Sequence, residues 1–300
     1  MEKLLFTGAS GFLGKNVKPF LEKIYEVTTV GLTDIDDIKI NLAKEIPILN
    51  STYDVVLHAA GKAHVIPKKE TDKKLFYDVN LQGTKNLCTS LEKANTIPRA
   101  LIFISTVAVY GCDFGENITE NHPVNGYTPY AISKLMAEEY LQDWCGKNNV
   151  ILSIIRPSLI AGPNAPGNLG AMVDGIKTGK YLSIAGGKAK KSVLMVQDIA
   201  NLIPLLVEKG GIYNVCDSNQ PSFRQLEWII CRQLGKKRLP VSIPFGIARL
   251  MALVGDCFGK WAPFNSLKLK KITTSLTFSN EKARKELNWE PLDVLENYKI

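Results

Sequence analysis

Tyr130 and Lys134 stand four residues apart, which on a helix puts them on one face. A free phenol titrates near 10, too high for a base at neutral pH, and a neighbouring ammonium group favours its ionised form. Upstream, Thr106 adds a hydroxyl within Ile104-Ser105-Thr106-Val107-Ala108-Val109-Tyr110-Gly111. A phenol, an ammonium and a hydroxyl are the groups needed to move a proton while a hydride crosses to or from a cofactor.

Such a cofactor needs a binding turn, and Thr7-Gly8-Ala9-Ser10-Gly11-Phe12-Leu13-Gly14 supplies one. Gly8-x-x-Gly11-x-x-Gly14 follows the apolar run Lys3–Thr7 and opens a helical pattern with Phe12, Leu13, Val17, Phe20, Leu21 and Ile24. The first glycine permits the sharp turn, the second lets backbone approach a pyrophosphate, and the third lets helix and strand pack closely. The helix N-terminus then faces the phosphates. At the end of the next strand, Glu26–Val30, Gly31 and Leu32 stand where an acid would hold a ribose hydroxyl. No Arg or Lys is there to meet a 2′-phosphate, and Asp34 is too far along to assign. The cofactor reads as NAD or NADP, its phosphate state open.

Further along, Asp54–Ala59 is apolar enough for a buried central strand, and a helical stretch over 72–94 leads to a strand at Ala100–Ser105. Thr128-Pro129 caps the helix carrying Tyr130, and Val150–Ile155 is one more strand. Strands alternating with helices predict an α/β fold, a Rossmann-type doubly wound parallel sheet. After Pro157 the alternation fades, and Gly162-Pro-Asn-Ala-Pro-Gly167 is a turn-rich connection. The expected division is a dinucleotide-binding domain over 1–165, rejoined by about 192–215, and a smaller C-terminal substrate-binding lobe over 166–300.

The chain has 300 residues, enough for a large core, and its +8 formal charge is scattered rather than set in an aromatic-lined stripe. This argues against a nucleic-acid partner and suits attraction for a diphosphate. Six cysteines without a C-x-x-C pair suggest reduced thiols in a cytoplasmic protein and no metal. No secretory signal precedes the first strand, and no stretch is fit to span a bilayer. Residues 243–258 are interrupted by Arg249 and Asp256 and read as an amphipathic lid or interface helix.

The motifs already quoted, with Leu57-His-Ala-Ala-Gly61, Asn80, Pro129-Tyr-Ala-Ile-Ser-Lys134, Arg156-Pro157, Gly162-Pro163, Val196-Gln-Asp198, Ser279-Asn280 and Leu287-Asn-Trp-Glu-Pro291, resemble the extended short-chain dehydrogenase/reductases. More narrowly, they are similar to the nucleotide-sugar epimerase/dehydratase family, over nearly the whole chain. The resemblance implies that Tyr130 is the acid/base, that Lys134 holds the nicotinamide ribose and tunes the tyrosine, and that Thr106 bonds the reacting sugar oxygen, with Ser105 secondary. It places Gly8, Ser10, Gly11, Phe12, Leu13, Gly14, Asn41, Leu42, Ala59, Ala60, Gly61, Asn80, Ile104, Tyr130, Lys134 and Pro157 at the cofactor. Asn168 and Lys191 become substrate contacts, and His64 would sit at the pocket mouth. Dehydratases of the family carry an Asp-Glu pair where this chain has Val107 and Ala108, which argues against elimination.

Gly61-Lys-Ala-His-Val65, Gly162–Asn168 and Gly186–Ser192 narrow the resemblance to a bacterial surface-polysaccharide group. That group is similar to UDP-hexose 4-epimerases and to reductases forming UDP-N-acetylquinovosamine. The implied activity is NAD(P)-dependent chemistry at C4 of a UDP-hexose or UDP-N-acetylhexosamine, with 4-epimerase first and 4-keto-sugar reductase as the alternative. A reading of another class is a non-catalytic dinucleotide sensor. The family also suggests a homodimer formed through paired helices.

Overall fold

The computed structural model describes residues 1–63, 65–94, 97–258 and 264–300. In chain order the first half runs β1 (Glu2–Thr7), α1 (Phe12–Leu21), β2 (Tyr25–Gly31), β3 (Ile38–Lys39), β4 (Val55–His58), α2 (Glu70–Tyr77), α3 (Gly83–Lys93), β5 (Ala100–Ile104), β6 (Gly115–Ile118), α4 (Pro129–Asn148) and β7 (Ile151–Pro157). It continues through β8 (Leu159–Ala161), α5 (Gly167–Thr178), β9 (Ser183–Ile184), β10 (Val193–Met195), α6 (Val196–Lys209), β11 (Gly211–Val215) and α7 (Phe223–Gln233). The chain ends with β12 (Ser242–Ile243), α8 (Phe245–Cys257), α9 (Ser266–Thr273), β13 (Leu276–Phe278), α10 (Glu281–Leu287) and α11 (Val294–Asn297).

Seven parallel strands form the central sheet in the order β11-β7-β5-β4-β1-β2-β3. Its strands are apolar on both faces, as a sheet covered twice must be. Leu4, Phe6, Val55, Leu57 and Ile102 pack toward α1 and α6, whereas Leu5, Val56, Leu101 and Phe103 pack toward α3 and α4. The sequence reading is thus a Rossmann-type α/β fold, and this is the fold observed. Phe20 of α1 and Ile24 after it, however, are exposed; Gly14, Val17 and Leu21 are buried, and Phe12 and Leu13 pack partly buried against the core. A ten-residue helix on a sheet needs one narrow stripe, and Ile24 lies beyond its end.

The helical stretch expected over 72–94 is broken at Asp78–Gln82 by a π-helical turn between α2 and α3. This turn carries Asn80, which is fully buried. The second half of the chain does not stand apart from the sheet. β11 is the edge strand beside β7, α6 packs on α1, and Ala283, Leu287 and Trp289 join the sheet's core. A further apolar cluster gathers α5, α7 and β10. β8 pairs with β10, and β13 pairs with β6, each pair beyond the ends of the central strands.

Candidate active site

A cavity of about 530 Å³ opens over the C-terminal ends of β1, β4, β5 and β7. Ligands of open α/β sheets bind at these strand ends. Gly8, Gly11, Phe12, Leu13, Ala59, Gly61, Ile104, Thr106, Tyr130, Lys134, Pro157 and Asn168, all singled out in the sequence, line it. Val107 and Ala108 line it too, and no carboxylate does among the described residues.

The glycine turn fits a dinucleotide by its own geometry. Gly8 has φ +81°, and a Cβ there would stand 2.7 Å from the Ala60 amide nitrogen. Gly14 is buried where a Cβ would collide with the Ala9 carbonyl. Gly11 is the N-cap of α1 and offers no side-chain cap, so first-turn amides beside the cavity are left for an anion.

Tyr130 and Lys134 are set by the start of α4. The Thr128 hydroxyl accepts from the Ala131 amide at 3.1 Å, and Pro129 occupies the first turn, where its missing N–H costs nothing. Thr106 follows β5 and caps a short 3₁₀ turn at Val107–Tyr110 by accepting from the Ala108 amide at 3.1 Å. Its side chain and the Tyr130 phenol line the same cavity. Lys134, although nearly fully buried, donates to the Ile104 carbonyl at 2.8 Å and lies 4.5 Å from the centre of the Phe103 ring. Gly61 leaves room for this ammonium, since a Cβ there would lie 3.0 Å from Nζ.

The electrostatics of the protein alone bear on one expectation. Burial pushes the Tyr130 phenol up, and the neighbouring Thr106 hydroxyl works the other way. The ammonium, aided by the positive nicotinamide, was expected to lower it; Lys134 directs one of its three N–H groups at the Ile104 carbonyl. Lys134 itself is pushed down to about 8 by burial, with Glu138 opposing.

Two buried polar networks brace the site, and neither was foreseen. On the β1–β4 side, Thr7 Oγ1 is 2.7 Å from His58 Nδ1, and His58 Nε2 is 2.8 Å from Thr84 Oγ1. Thr84 donates its one hydroxyl proton to the Asn80 carbonyl at 2.6 Å. His58 Nε2 must therefore donate to Thr84, which leaves Nδ1 to accept from Thr7. Burial, aided by the charge of Lys134, lowers His58 to about 3, so the ring is neutral. Asn80 completes this side: its Oδ1 accepts from the Lys62 amide at 2.7 Å and its Nδ2 donates to Ser133 at 2.9 Å. It pins the loop after Gly61 to α4 rather than lining the cavity.

On the other side Ser105 donates to Glu138, whose carboxylate takes Arg156 Nε at 3.1 Å and Nη2 at 2.6 Å. Arg156 donates to the Tyr110 hydroxyl at 3.0 Å, which donates to Asn214 at 2.7 Å. A glutamate one turn after Lys134 was the available signal, but nothing in the sequence says that it faces inward.

Several expected residues lie off the cavity wall. Ser10 and Gly14 belong to the turn, and Ala60 meets Thr7 through its amide at 3.2 Å. Asn41 caps its own loop, accepting from the Ala43 amide at 3.1 Å, and Leu42 is core, its carbonyl accepting from Asn86 at 2.7 Å. Lys191 donates to the Thr274 carbonyl at 3.1 Å and is pushed down by burial, so its ammonium is spent on backbone beside the cavity. His64 lies outside the described residues.

Asp36 was missed. It is buried and folds back from the loop after β2, its Oδ2 taking the Thr33 amide at 3.0 Å and hydroxyl at 2.6 Å. A Cβ on Gly31 would collide with this carboxylate, so the acid absent from the strand end is returned there by the loop.

A dinucleotide turn, a Tyr-Lys helix and a hydroxyl at one cavity describe a group of enzymes, and sequence comparison identifies it. The sequence profile of the NAD dependent epimerase/dehydratase family matches residues 4–216. The chain belongs to that family. Its cofactor is NAD or NADP. The N-acetyl-alpha-D-glucosaminyl-diphospho-ditrans,octacis-undecaprenol 4-epimerase of Escherichia coli O157:H7 is 30% identical, over 94% of this chain and 88% of that one. The UDP-glucose 4-epimerase of Vibrio cholerae is 26% identical, over 98% and 92%. Among solved structures, RMD from Pseudomonas aeruginosa complexed with NADPH superposes with a TM-score of 0.76 at 20% identity, covering 99% of this chain and 96% of that one. This family member is therefore an enzyme of the epimerase and reductase kind.

Proposed function

We propose that the protein is a 4-epimerase acting on a hexose or N-acetylhexosamine joined to a carrier by a diphosphate. The observation that carries the reading is the meeting of Tyr130, Lys134 and Thr106 at one cavity with the Gly8–Leu13 turn. When bound, NAD(P) supplies the hydride acceptor and donor. Gly8, Gly11, Phe12 and Leu13 would hold its phosphates, and Lys134 would hold the nicotinamide ribose. Tyr130 takes the proton of the sugar 4-hydroxyl and returns it, while Thr106 holds that oxygen. Val107 and Ala108 offer no acid or base for expelling water, so dehydration is not part of the reaction.

The sugar-holding groups come from 166–191 and 216–300, and Asn168 is the first of them. The carrier is read as UDP, as in the Vibrio cholerae relative's name. A polyprenyl diphosphate, as in the Escherichia coli relative's name, is the second reading, favoured by the apolar hairpin described below. Asp36 beside Gly31 favours NAD, because a carboxylate accepts from a ribose hydroxyl and repels a 2′-phosphate.

The test incubates purified protein and NAD with UDP-glucose, UDP-N-acetylglucosamine and polyprenyl-diphosphate N-acetylglucosamine, and assigns the product at C4 by NMR. The expected product is the C4 epimer with no net NADH, abolished in Tyr130→Phe. Net consumption of NADPH on a 4-keto sugar alone would make the protein a reductase, and a 4-keto-6-deoxy product would make it a dehydratase. In titrations, NAD should bind more tightly than NADP, and Asp36→Asn should narrow that gap.

A further inference from the structure

Helix α8 is packed inside out. A helix on a protein surface normally buries its large apolar side chains. Here Ala248, Ala252 and Gly255 face inward, toward Leu269 of α9 and Ile184. Ile247, Leu250, Met251, Leu253, Val254 and Phe258 are exposed, Leu250 by 65%. Leu267 of α9 adds to them at 68%. An apolar surface of this extent marks an interaction site.

We propose that the α8–α9 hairpin docks the protein on an anionic lipid bilayer. Charge selects this occupant. Between residues 241 and 275 the sequence holds Arg249, Lys260, Lys268, Lys270 and Lys271 against one acid, Asp256, and of these Lys271 is paired with Asp113 at 2.9 Å. Asp256 already accepts from the Ser266 amide at 3.0 Å and from its hydroxyl at 2.5 Å. Arg249, Lys268 and Lys270 are exposed, so cationic groups accompany the apolar face. Large apolar side chains with lysines around them are the signature of a helix lying in a membrane interface. Among the described residues no helix is long and apolar enough to cross a membrane, so the contact is peripheral.

The hairpin is also tied to the cavity. Two residues separate α9 from β13, and Leu276 and Phe278 of β13 line the cavity wall. Docking therefore brings the cavity near the lipid surface, which suits a sugar diphosphate carried on a membrane lipid. This last step rests on the proposed function, whereas docking itself does not.

Flotation of the full chain, without substrate, tests it on vesicles of equal phosphatidylglycerol and phosphatidylcholine. Binding is expected there, at least tenfold weaker on phosphatidylcholine alone and weakened by salt. The pair Leu250→Glu/Leu253→Glu and the pair Arg249→Glu/Lys270→Glu should each reduce binding at least tenfold with an unchanged melting temperature. Absence of flotation, or flotation indifferent to both pairs, overturns the proposal. Sedimentation is run in parallel, and a dimer dissolved by the Leu250→Glu/Leu253→Glu pair, without vesicle binding, would make the face a dimer contact. Turnover of UDP-N-acetylglucosamine in solution should be unchanged in both pairs. Its absence in the wild type, with flotation intact, would count against the function reading alone.

Discussion

Lys134 stands between two buried polar networks built on opposite principles. Toward β1 and β4, the chain Thr7–His58–Thr84–Asn80 carries no charge, and every hydroxyl and ring nitrogen passes one proton along a single direction. Toward β7, Glu138 and Arg156 meet as ions, both almost wholly buried, with Ser105 and Tyr110 on the remaining positions. A buried cation tolerates a neutral relay on one side and needs an anion on the other. His58 is driven neutral partly by Lys134, while Glu138 resists the loss of charge that burial imposes on Lys134. The networks thus divide the work: one fixes backbone at the cofactor turn, and the other keeps the ammonium charged.

The largest expected effect breaks the charged side. Glu138→Ala strands Arg156 without its partner and should cost about 3–5 kcal/mol in urea unfolding. The double change Glu138→Leu/Arg156→Met should recover most of that loss, because apolar replacements remove both desolvation costs. Equal losses in single and double variants would show that the ion pair is not what the single change removes.

Breaking the neutral side should cost less. His58→Leu leaves the Thr7 and Thr84 hydroxyls short of a partner, worth about 1–3 kcal/mol. The two sides also differ in pH response. The folded value of His58, about 3, lies below the ordinary 6.5, so the unfolded chain takes the proton first. The stability from a neutral His58 is complete above pH 6.5 and is withdrawn as pH falls toward 3, by about 1.4 kcal/mol per unit. Unfolding curves between pH 7 and 5 should show this slope in the wild type and lose it in His58→Leu.

The smallest effect sharpens the comparison at Lys134 itself. With its value near 8, the ammonium discharges as pH rises through that point. NADH affinity, followed by fluorescence, should fall above about pH 8. In Lys134→Arg, whose guanidinium stays charged, it should remain level whatever its absolute strength. A level wild-type profile would mean that the charge of Lys134 does not contribute to binding.

How much of this was legible follows from how far each signal reaches along the chain. Gly8, Gly11 and Gly14 announced the turn because a tight backbone turn is made by neighbours. Tyr130 and Lys134 announced a shared face because helical spacing is local, and the capping pair Thr128-Pro129 told where that helix begins. The parallel sheet was readable from apolar runs alternating with helical patterns. Asn80, expected at the cofactor, sits buried in a π turn and bonds Lys62 and Ser133, partners that no local pattern names. Asn41, Leu42 and Lys191 were likewise close to the cavity in sequence pattern and are spent on loops, core or backbone.

By itself the sequence determined what short-range geometry can encode: the dinucleotide turn, the Tyr-Lys helix, the strand ends that present them, and the missing acid–base pair at Val107 and Ala108. The tertiary structure decided what depends on residues distant along the chain. It returned Asp36 to Gly31, threaded His58 between β1 and α3, buried Glu138 against Arg156, and turned the large side chains of α8 outward. A residue's type states what bonds it can make. Which partner it finds, and whether water is excluded there, is settled only when the elements pack.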